Sequence, residues 1–222
     1  MILLDAFCGA GGAGAGYKRA GFEVIGVDLK PQPRYPFEFH QADALEVLLE
    51  LAEEGEVFGH SIAAVHASPP CQAYSALRVT RPDLEHPELV EPTRRLLQAS
   101  GLPYVIENVP GAPLAAAVVL CGSMFGLGSG KRQLRRHRLF ECSFPVMSPP
   151  CHHVGQAIGV YGGGDSAFSR AASKRRGGYQ GSKAEKAEAM GIDWMTREEL
   201  NQAIPPAYTE HLGFYLRGAL QT

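Results

Sequence analysis

Short apolar segments that alternate with helical segments constrain the fold of this 222-residue chain more than any other feature of its sequence. The apolar segments have the length of strands, and glycine or polar residues follow them. Strands are predicted at 2–7, 22–28, 61–68 and 103–109, and helices at 12–20, 43–54 and 91–100. This alternation is typical of a parallel sheet with helices on both faces. We therefore predict an α/β fold with a mostly parallel sheet.

The composition of the chain changes after residue 142. A further strand is predicted at 137–142, and residues 143–181 are then rich in Pro, Gly and Ser, which indicates a small, loop-rich lobe. Helical signals return at Ser182 and Thr196, each of which begins a Ser/Thr-x-x-Glu capping box. The predicted parts are a core at 1–141, the lobe at 142–181 and C-terminal helices at 182–222 that pack back on the core.

Positive charge is concentrated in one region of a chain whose formal net charge is −2. Residues 131–176 contain nine Lys or Arg residues and two acidic residues, whereas the rest of the chain is acidic. A basic segment on an acidic body indicates a polyanionic partner for that segment. The alternative is a solvated loop whose charge has no partner.

Other features of the sequence bound the cellular setting. No apolar run approaches the roughly 20 residues that a membrane span needs, and the first residues lack the basic region and cleavage site of a secretory signal. Five cysteines, an odd number in a chain of this length, do not indicate a disulfide framework. We expect a cytoplasmic protein without a membrane partner.

Three consecutive strand ends offer glycines at the first and a carboxylate at each of the other two. The segment Asp5–Gly12 is rich in small residues where a strand turns into a helix, so that the backbone can approach a ligand closely. Asp28 ends the next strand, where a carboxylate can accept hydrogen bonds from a ribose diol, and Asp43 could hold an adenine amino group. Together they predict a site for an adenosine-containing cofactor. The alternative is a tight turn and two surface carboxylates.

A cysteine and a glutamate follow the next two predicted strands. Ser68-Pro69-Pro70-Cys71-Gln72 comes directly after an apolar strand, at the sheet edge where α/β folds bind ligands. Two prolines stiffen the loop, and Cys71 can present a nucleophilic thiolate there. Glu107 ends the following strand and could supply the acid that such chemistry needs. As an isolated pair, a loop cysteine and a strand-end glutamate are more often structural than catalytic.

In this order and at this spacing, the motifs resemble those of the DNA (cytosine-5-)-methyltransferases. The resemblance covers about three-quarters of the chain and leaves out 143–181, where the family usually has a much larger target-recognition lobe. It implies a Rossmann-like S-adenosylmethionine-dependent methyltransferase fold in a compact member. The matching blocks are Asp5–Gly12, Val27-Asp28, Asp43, Pro69–Gln72, Glu107–Val109 and Arg136–Phe140.

The resemblance implies a covalent mechanism at cytosine. The thiolate of Cys71 would add to carbon 6 of the base, and a protonated Glu107 at N3 would stabilise the charge that develops on the ring. Arg138 would steady the base and the cysteine loop, and Asn108 would fix the geometry of that loop. The base must leave the duplex to reach Cys71, so base flipping is implied as well.

The resemblance also implies which residues contact the cofactor and the DNA. The expected cofactor is S-adenosylmethionine, and the expected partner is DNA with a flipped cytosine, bound by a protein that we expect to be a monomer. The candidate cofactor residues are Phe7, Gly9, Gly11, Asp28, Leu29, Asp43, Ala44 and Pro70. The candidate nucleic-acid residues are Gln72, Ser75, Arg136, Arg170, Lys174, Arg175 and Arg176.

Two of the sequence blocks depart from the family pattern, and the sequence also allows other functions. Leu134 replaces a glutamine of the eighth block, and 203–206 lack the usual Gly-Asn of the tenth, which leaves open whether the transferred group is a plain methyl. A role in protecting phage or mobile-element DNA from restriction would suit the small size. The alternatives are methylation of an RNA or a nucleotide, and a non-catalytic nucleic-acid-binding protein that keeps the fold.

The remaining cysteines and histidines are interpreted as structural. Cys142, Cys151, His152 and His153 are close in sequence, but their spacing includes neither a Cys-x-x-Cys nor a His-x-His pair, so we predict no metal site. Cys121, among apolar and glycine neighbours, is expected to pack in the core.

His66 and Trp194 are likewise expected to be structural. His66 lies in the strand before the cysteine loop, and we interpret it as a hydrogen-bonded core or edge residue rather than a proton shuttle. Trp194 is expected to anchor the packing of the last two helices.

Overall fold

A computed structural model describes residues 1–74, 87–161 and 178–221 of the chain. The strands are β1 (Ile2–Ala6), β2 (Glu23–Asp28), β3 (Glu38–Gln41), β4 (Glu56–Val57), β5 (His60–Ser61), β6 (Ala64–Ala67), β7 (Tyr104–Asn108), β8 (Val118–Leu120), β9 (Gly128–Ser129), β10 (Arg132–Leu134), β11 (Arg138–Cys142), β12 (Ala157–Gly159) and β13 (Gly178–Gln180). The helices are α1 (Gly12–Arg19), α2 (Ala44–Glu54), α3 (Val90–Ser100), α4 (Lys183–Met190), α5 (Arg197–Gln202) and α6 (Pro206–Ala219), with a 3₁₀ helix at Gly122–Phe125.

A seven-stranded sheet in the order β3-β2-β1-β6-β7-β11-β8 forms the centre of the fold. The strands from β3 to β7 in this order pair in parallel, and β11 pairs antiparallel with β7 and with β8. The predicted α/β fold with a mostly parallel sheet is therefore confirmed. The strand predicted at 61–68 divides into β5 and the buried β6, and the short edge strands β3 and β8 were not predicted.

Both faces of the sheet are covered by helices. Leu3 and Leu4 are neighbours in β1 and are both fully buried, but successive side chains of a strand point to opposite faces. Leu4 packs in a cluster with residues of α2 and α3, including Leu48. Leu3 packs in a second cluster with residues of α1 and α6, including Tyr17. The carboxyl ends of the parallel strands lie together at one edge of the sheet.

A smaller sheet, in the order β13-β12-β10-β9, lies beside a third cluster of buried residues. Its strands come from both sides of residue 142, and β12 and β13 lie within the segment predicted to be loop-rich. Leu134 and Ile158 of this sheet pack with Met190 of α4. The boundaries 1–141, 142–181 and 182–222 stay a prediction.

The C-terminal helices begin where the capping boxes predicted them. The Ser182 Oγ accepts a hydrogen bond from the Glu185 backbone N–H at 3.2 Å, and Thr196 caps α5 in the same way. The indole N–H of Trp194 donates to the Ala10 carbonyl at 2.8 Å, so this residue connects the α4–α5 link to the turn after β1. None of the helices in the described ranges combines the length and apolar character that a membrane span needs.

Candidate active site

The candidate residues converge at the carboxyl edge of the large sheet. The parallel strands β1, β2, β6 and β7 all end there, which brings together the segments that begin at Phe7, Asp28, Ser68 and Asn108. Because β11 runs in the opposite direction, it contributes its first residue, Arg138, to the same edge. This topology places sequence blocks that are far apart in the chain around one site.

An ion pair lies at the centre of this edge. The Arg138 Nε donates to the Glu107 Oε1 at 3.0 Å, and Glu107 is only 7% exposed. Burial raises the pKa of Glu107 above its ordinary value of 4.5, and the positive charges of Arg138 and Arg136 oppose that shift. A carboxyl group with a raised pKa can hold a proton and donate it to a ring nitrogen.

The thiol of Cys71 is electrostatically coupled to this pair. Cys71 is half-buried, and burial raises its pKa above 9, with a further contribution from the negative charge of Glu107. The positive charge of Arg138 opposes both effects. The thiol form therefore predominates near neutral pH, and protonation of Glu107 would favour ionisation of Cys71 by removing the repulsive charge.

The loop before Cys71 is held by the strand that carries Glu107. The buried Asn108 donates from its Nδ2 to the Pro69 carbonyl at 2.9 Å, and its Oδ1 accepts from the Val109 N–H at 2.9 Å. The Tyr74 N–H donates to the Cys71 carbonyl at 3.0 Å and closes a turn after the cysteine. Asn108 thus has the loop contacts that the resemblance implied.

A hydrogen-bonded chain leads from the core to Glu107, and sequence reasoning did not identify it. His66 is fully buried, with its Nδ1 3.0 Å from the Tyr17 hydroxyl and its Nε2 2.9 Å from the Ser68 Oγ. Ser68 in turn hydrogen-bonds Glu107. Burial lowers the pKa of His66 to about 3, so the ring is neutral. The prediction that His66 is a hydrogen-bonded core residue is confirmed.

The turn after β1 has the backbone geometry of a close ligand approach. Gly9 and Gly11 have φ values of +50° and +84°, in the region that favours glycine. A Cβ on Gly11 would lie 2.7 Å from the Pro36 Cδ, whereas a Cβ on Gly9 would meet no atom of the described residues within 4 Å. The turn is therefore tight on the side of Gly11 and open beside Gly9. Phe7, before the turn, is half-buried.

Two carboxylates lie at the ends of the neighbouring strands. Asp28 accepts backbone hydrogen bonds from Gly9 at 3.0 Å and from Lys30 at 2.9 Å. Asp43 caps α2, since its Oδ1 accepts from the Leu45 N–H at 2.8 Å. Each carboxylate oxygen has a second lone pair, so these bonds leave acceptor capacity for a ligand hydroxyl or amino group.

The other candidate cofactor residues border the same region. Leu29 is 66% exposed although it is apolar, and it directly follows Asp28. Ala44 is the buried first residue of α2, and Pro70 is half-buried beside Cys71. The exposed apolar side chain of Leu29 could cover a planar ring at this edge.

Arg136 differs from its predicted place at a nucleic-acid surface. It is buried, and its guanidinium donates to the Val160 carbonyl and, at 2.8 Å, to the Asn201 carbonyl. A guanidinium held by two internal carbonyls is not available to a phosphate, so the structure does not support the predicted nucleic-acid contact of Arg136. Nearby, Arg132 lies over the ring of Tyr179, which identifies that tyrosine as a packing residue.

The remaining nucleic-acid candidates are only partly placed. Gln72 is exposed directly after Cys71. The other candidates lie outside the described residues: Ser75, Arg170, Lys174, Arg175 and Arg176.

The cysteines and histidines are arranged differently from the expectation. The ligand atoms of Cys121, His137, Cys151 and His153 all lie within 4.8 Å of one another. Cys121 is buried, as expected, but its Sγ faces the His153 Nε2 at 3.4 Å rather than only apolar neighbours. Cys142, which the sequence placed with these residues, does not belong to the group.

Comparisons with known proteins bear on the fold. No protein-family model matches the chain. It is 28% identical over 121 residues to the Type II methyltransferase M.AgeI of Thalassovita gelatinovora. That match covers 50% of this chain, and it spans only about a quarter of the relative, 28% of its length.

Solved structures match over the whole chain. A protein described as a DNA modification methyltransferase encoded within an Escherichia coli prophage superposes with a TM-score of 0.64 at 15% identity, covering 100% of both chains. Dnmt2 of Spodoptera frugiperda gives a TM-score of 0.57 at 12% identity, covering 97% of this chain and 99% of that one. Dnmt2 of S. pombe gives 0.57 at 11%, covering 100% and 99%. The chain therefore resembles these methyltransferases as its motifs predicted, and it has their Rossmann-like methyltransferase fold.

Proposed function

We propose that this chain transfers a methyl group from S-adenosylmethionine to carbon 5 of cytosine in DNA, through a covalent adduct with Cys71. The observation that carries the proposal is the convergence of Cys71, Glu107 and Arg138 at the carboxyl edge of a methyltransferase fold. The prophage-encoded structural relative, described as a DNA modification methyltransferase, supports the choice of DNA. All three groups come from one chain, which is consistent with action as a monomer.

The residues at the edge fit the proposed cofactor. The open space beside Gly9 admits a ligand close to the backbone, and Asp28 and Asp43 keep acceptor capacity for a ribose hydroxyl and an adenine amino group. The exposed side chain of Leu29 would cover the adenine ring. When bound, S-adenosylmethionine supplies an electrophilic methyl group on a sulfonium sulfur.

The proposed chemistry divides among three side chains. The Cys71 sulfur forms a bond to carbon 6 while its proton passes to solvent, and Glu107 gives a proton to N3 so that carbon 5 becomes an enamine carbon. Arg138 holds the Glu107 carboxyl and the base in place. After carbon 5 has been methylated, its proton is lost to water. The sulfur–carbon bond then breaks, and the N3 proton returns to Glu107.

The proposed DNA contacts lie mainly on the lobe. Of the arginines between 131 and 138, Arg132 donates to the Gln156 side chain, Arg135 donates to the Val154 carbonyl at 3.0 Å, and the other two, Arg136 and Arg138, have internal partners. We therefore place the phosphate contacts on Arg170 and 174–176, with Gln72 beside the flipped base. A short lobe of this kind would grip phosphates more than it reads bases.

Trapping with 5-fluorocytosine tests the proposal. Fluorine at carbon 5 blocks the final proton loss, so the adduct persists, and mass spectrometry of the digested complex locates it. We expect a cofactor-dependent adduct on Cys71 of the unmodified chain and of the control variant Cys142→Ser, and none on Cys71→Ser.

Parallel substrates separate the alternatives. An adduct on RNA or on the free nucleotide, with none on DNA, would change the substrate class. If no substrate forms an adduct while the cofactor still binds, the chain is a non-catalytic nucleic-acid-binding protein. Full turnover by Cys71→Ser would remove the proposed nucleophile.

A further inference from the structure

We propose that Cys121, His137, Cys151 and His153 form a structural zinc site. Their four ligand atoms lie within 4.8 Å of one another, and they come from three separate segments of the chain. Cys121 follows β8, His137 precedes β11, and the other two lie in the extended segment that leads to β12. The site includes none of the proposed catalytic side chains and does not depend on the proposed function.

The distances suit a tetrahedral ion. The Cys151 Sγ lies 3.0 Å from the His153 Nε2 and 3.6 Å from the His137 Nε2, and the Cys121 Sγ lies 3.4 Å from the His153 Nε2. A tetrahedral zinc with bonds of about 2.3 Å to sulfur and 2.0–2.1 Å to nitrogen places sulfur and nitrogen roughly 3.6 Å apart. Small rotations of the side chains therefore suffice to bind an ion at the centre.

The donor set selects the metal. Two thiolates and two imidazoles are the ligands of closed structural zinc sites, and the described group contains no carboxylate that would favour calcium or magnesium. The Ser123 hydroxyl lies 3.4 Å from the Cys121 Sγ and 3.5 Å from the Cys151 Sγ. A hydroxyl in this position can donate to a thiolate and orient it, as groups behind metal ligands commonly do.

The segment that contains Cys151 and His153 is already held in place by a side chain of β10 and by one that directly follows this strand. Gln133 accepts from the Val154 N–H at 2.7 Å and donates to the His152 carbonyl at 3.3 Å, while Arg135 donates to the Val154 and Gly155 carbonyls. Residues 143–156 form no helix or strand of their own. No helix or strand within this segment fixes it to the edge of the large sheet. A bound metal would do so.

The position of His137 gives the metal a second consequence. His137 lies between Arg136, which holds two internal carbonyls, and Arg138, which holds Glu107. A metal bound at His137 would restrain the backbone at the start of β11. It would therefore act as a positioning element for the arginine at the active-site edge.

Metal content tests the site directly. We expect the purified chain, freed of any histidine tag and kept reduced, to contain about one zinc per chain by inductively coupled plasma mass spectrometry. His153→Ala should lose at least nine-tenths of it, whereas the neighbouring His152→Ala and the nearby Cys142→Ser should keep it. Replacing zinc with Co²⁺ should give the visible absorption of tetrahedral cobalt and a near-ultraviolet thiolate-to-cobalt band.

Two further measurements keep the test decisive if His153→Ala folds poorly. His153→Cys preserves four ligands and should retain the metal, and chelation of the unmodified chain should lower its melting temperature. The proposal is overturned if the reduced chain holds no zinc and gains neither cobalt absorption nor thermal stability when metal is added. Equal metal loss in His152→Ala and His153→Ala, or a Cys121–Cys151 disulfide in the native protein, would also overturn it.

Discussion

Helix propensity alone predicts that an alanine in place of a glycine in α1 would stabilise the protein. The packing of α1 against α6 predicts the opposite effect at Gly16. Gly16 lies in α1, and a Cβ added there would lie 2.1 Å from the Pro206 carbonyl oxygen and 2.1 Å from the Thr209 Oγ1. Cβ atoms in real proteins essentially never approach another heavy atom within 3.0 Å. In Gly16→Ala, α6 must therefore move away from α1 by close to an ångström, which also stretches the 2.7 Å hydrogen bond from Thr209 to the Ala13 carbonyl.

The magnitude follows from three contributions. Replacing glycine with alanine inside a helix stabilises it by about 1 kcal/mol. Overpacking a tight interface costs about 1–3 kcal/mol, and loss of the Thr209 hydrogen bond costs about 1 kcal/mol. We therefore expect Gly16→Ala to lower the free energy of unfolding by about 1–3 kcal/mol. For a chain of this size that corresponds to a melting temperature lower by roughly 2–12 °C.

Urea and thermal unfolding followed by circular dichroism measure this difference. The matched control is Gly218→Ala, because a Cβ on Gly218 of α6 would meet no atom within 4 Å in the part of the chain that the structure describes. Its free energy of unfolding should stay unchanged or rise by up to about 1 kcal/mol. If Gly16→Ala is as stable as the unmodified chain or more stable, the close approach of the two helices is not as described.

Three other variants test the active-site edge. Glu107→Gln should reduce methyl transfer by about 100-fold or more. It should also move the pH dependence of Cys71 alkylation to lower pH, because the Glu107 charge raises the Cys71 pKa. An alkylation profile that does not move would contradict this coupling. Asn108→Ala should lower the free energy of unfolding by about 2–4 kcal/mol, measured in urea, since it leaves two backbone groups unpaired; an unchanged midpoint would mean that water replaces both bonds. Burial raises the pKa of Asp5 to about 8. Between roughly pH 4 and pH 8 the unfolded chain therefore releases a proton that the folded chain keeps, and the free energy of unfolding falls as the pH rises. Asp5→Asn should lose less stability than the unmodified chain between pH 5 and pH 8 in thermal unfolding, and equal losses would assign the dependence to other groups.

Much of the fold and the site could be predicted from the sequence, because local signals and strand topology coincide. The strands that lead to Asp28, Cys71 and Glu107 have apolar sequences that can be recognised locally. Because these strands are parallel, their carboxyl ends lie at the same edge of the sheet. The capping boxes at Ser182 and Thr196 are equally local, and both helices begin there. The roles of Cys71 and Glu107 stay predictions until the trapping experiment is done.

The features that sequence reasoning missed depend on contacts between distant segments. Arg136 stands in a basic run that resembles an exposed surface, and only the fold brings the Val160 and Asn201 carbonyls to it. The four side chains that we propose as zinc ligands join Cys121 and His137 to a pair more than ten residues away, so no short motif indicates this group. The spacing Cys151-x-His153 is the one local signal, and it is weak on its own.

The antiparallel pairing of β11 with β7 sets the relative position of the two strands, whatever the length of the chain that connects them. In this ladder Phe140 pairs with Glu107 and Leu139 pairs with Asn108. The pairing therefore sets the position of the Arg138 guanidinium relative to the Glu107 carboxylate. The β9–β10 hairpin turns at Gly130, where a Cβ would meet none of the described atoms within 4 Å. Residues inserted at that turn would lie outside the β7–β11 ladder and would leave its register unchanged. The hairpin is therefore a suitable place to fuse a DNA-reading module to the compact enzyme that we propose.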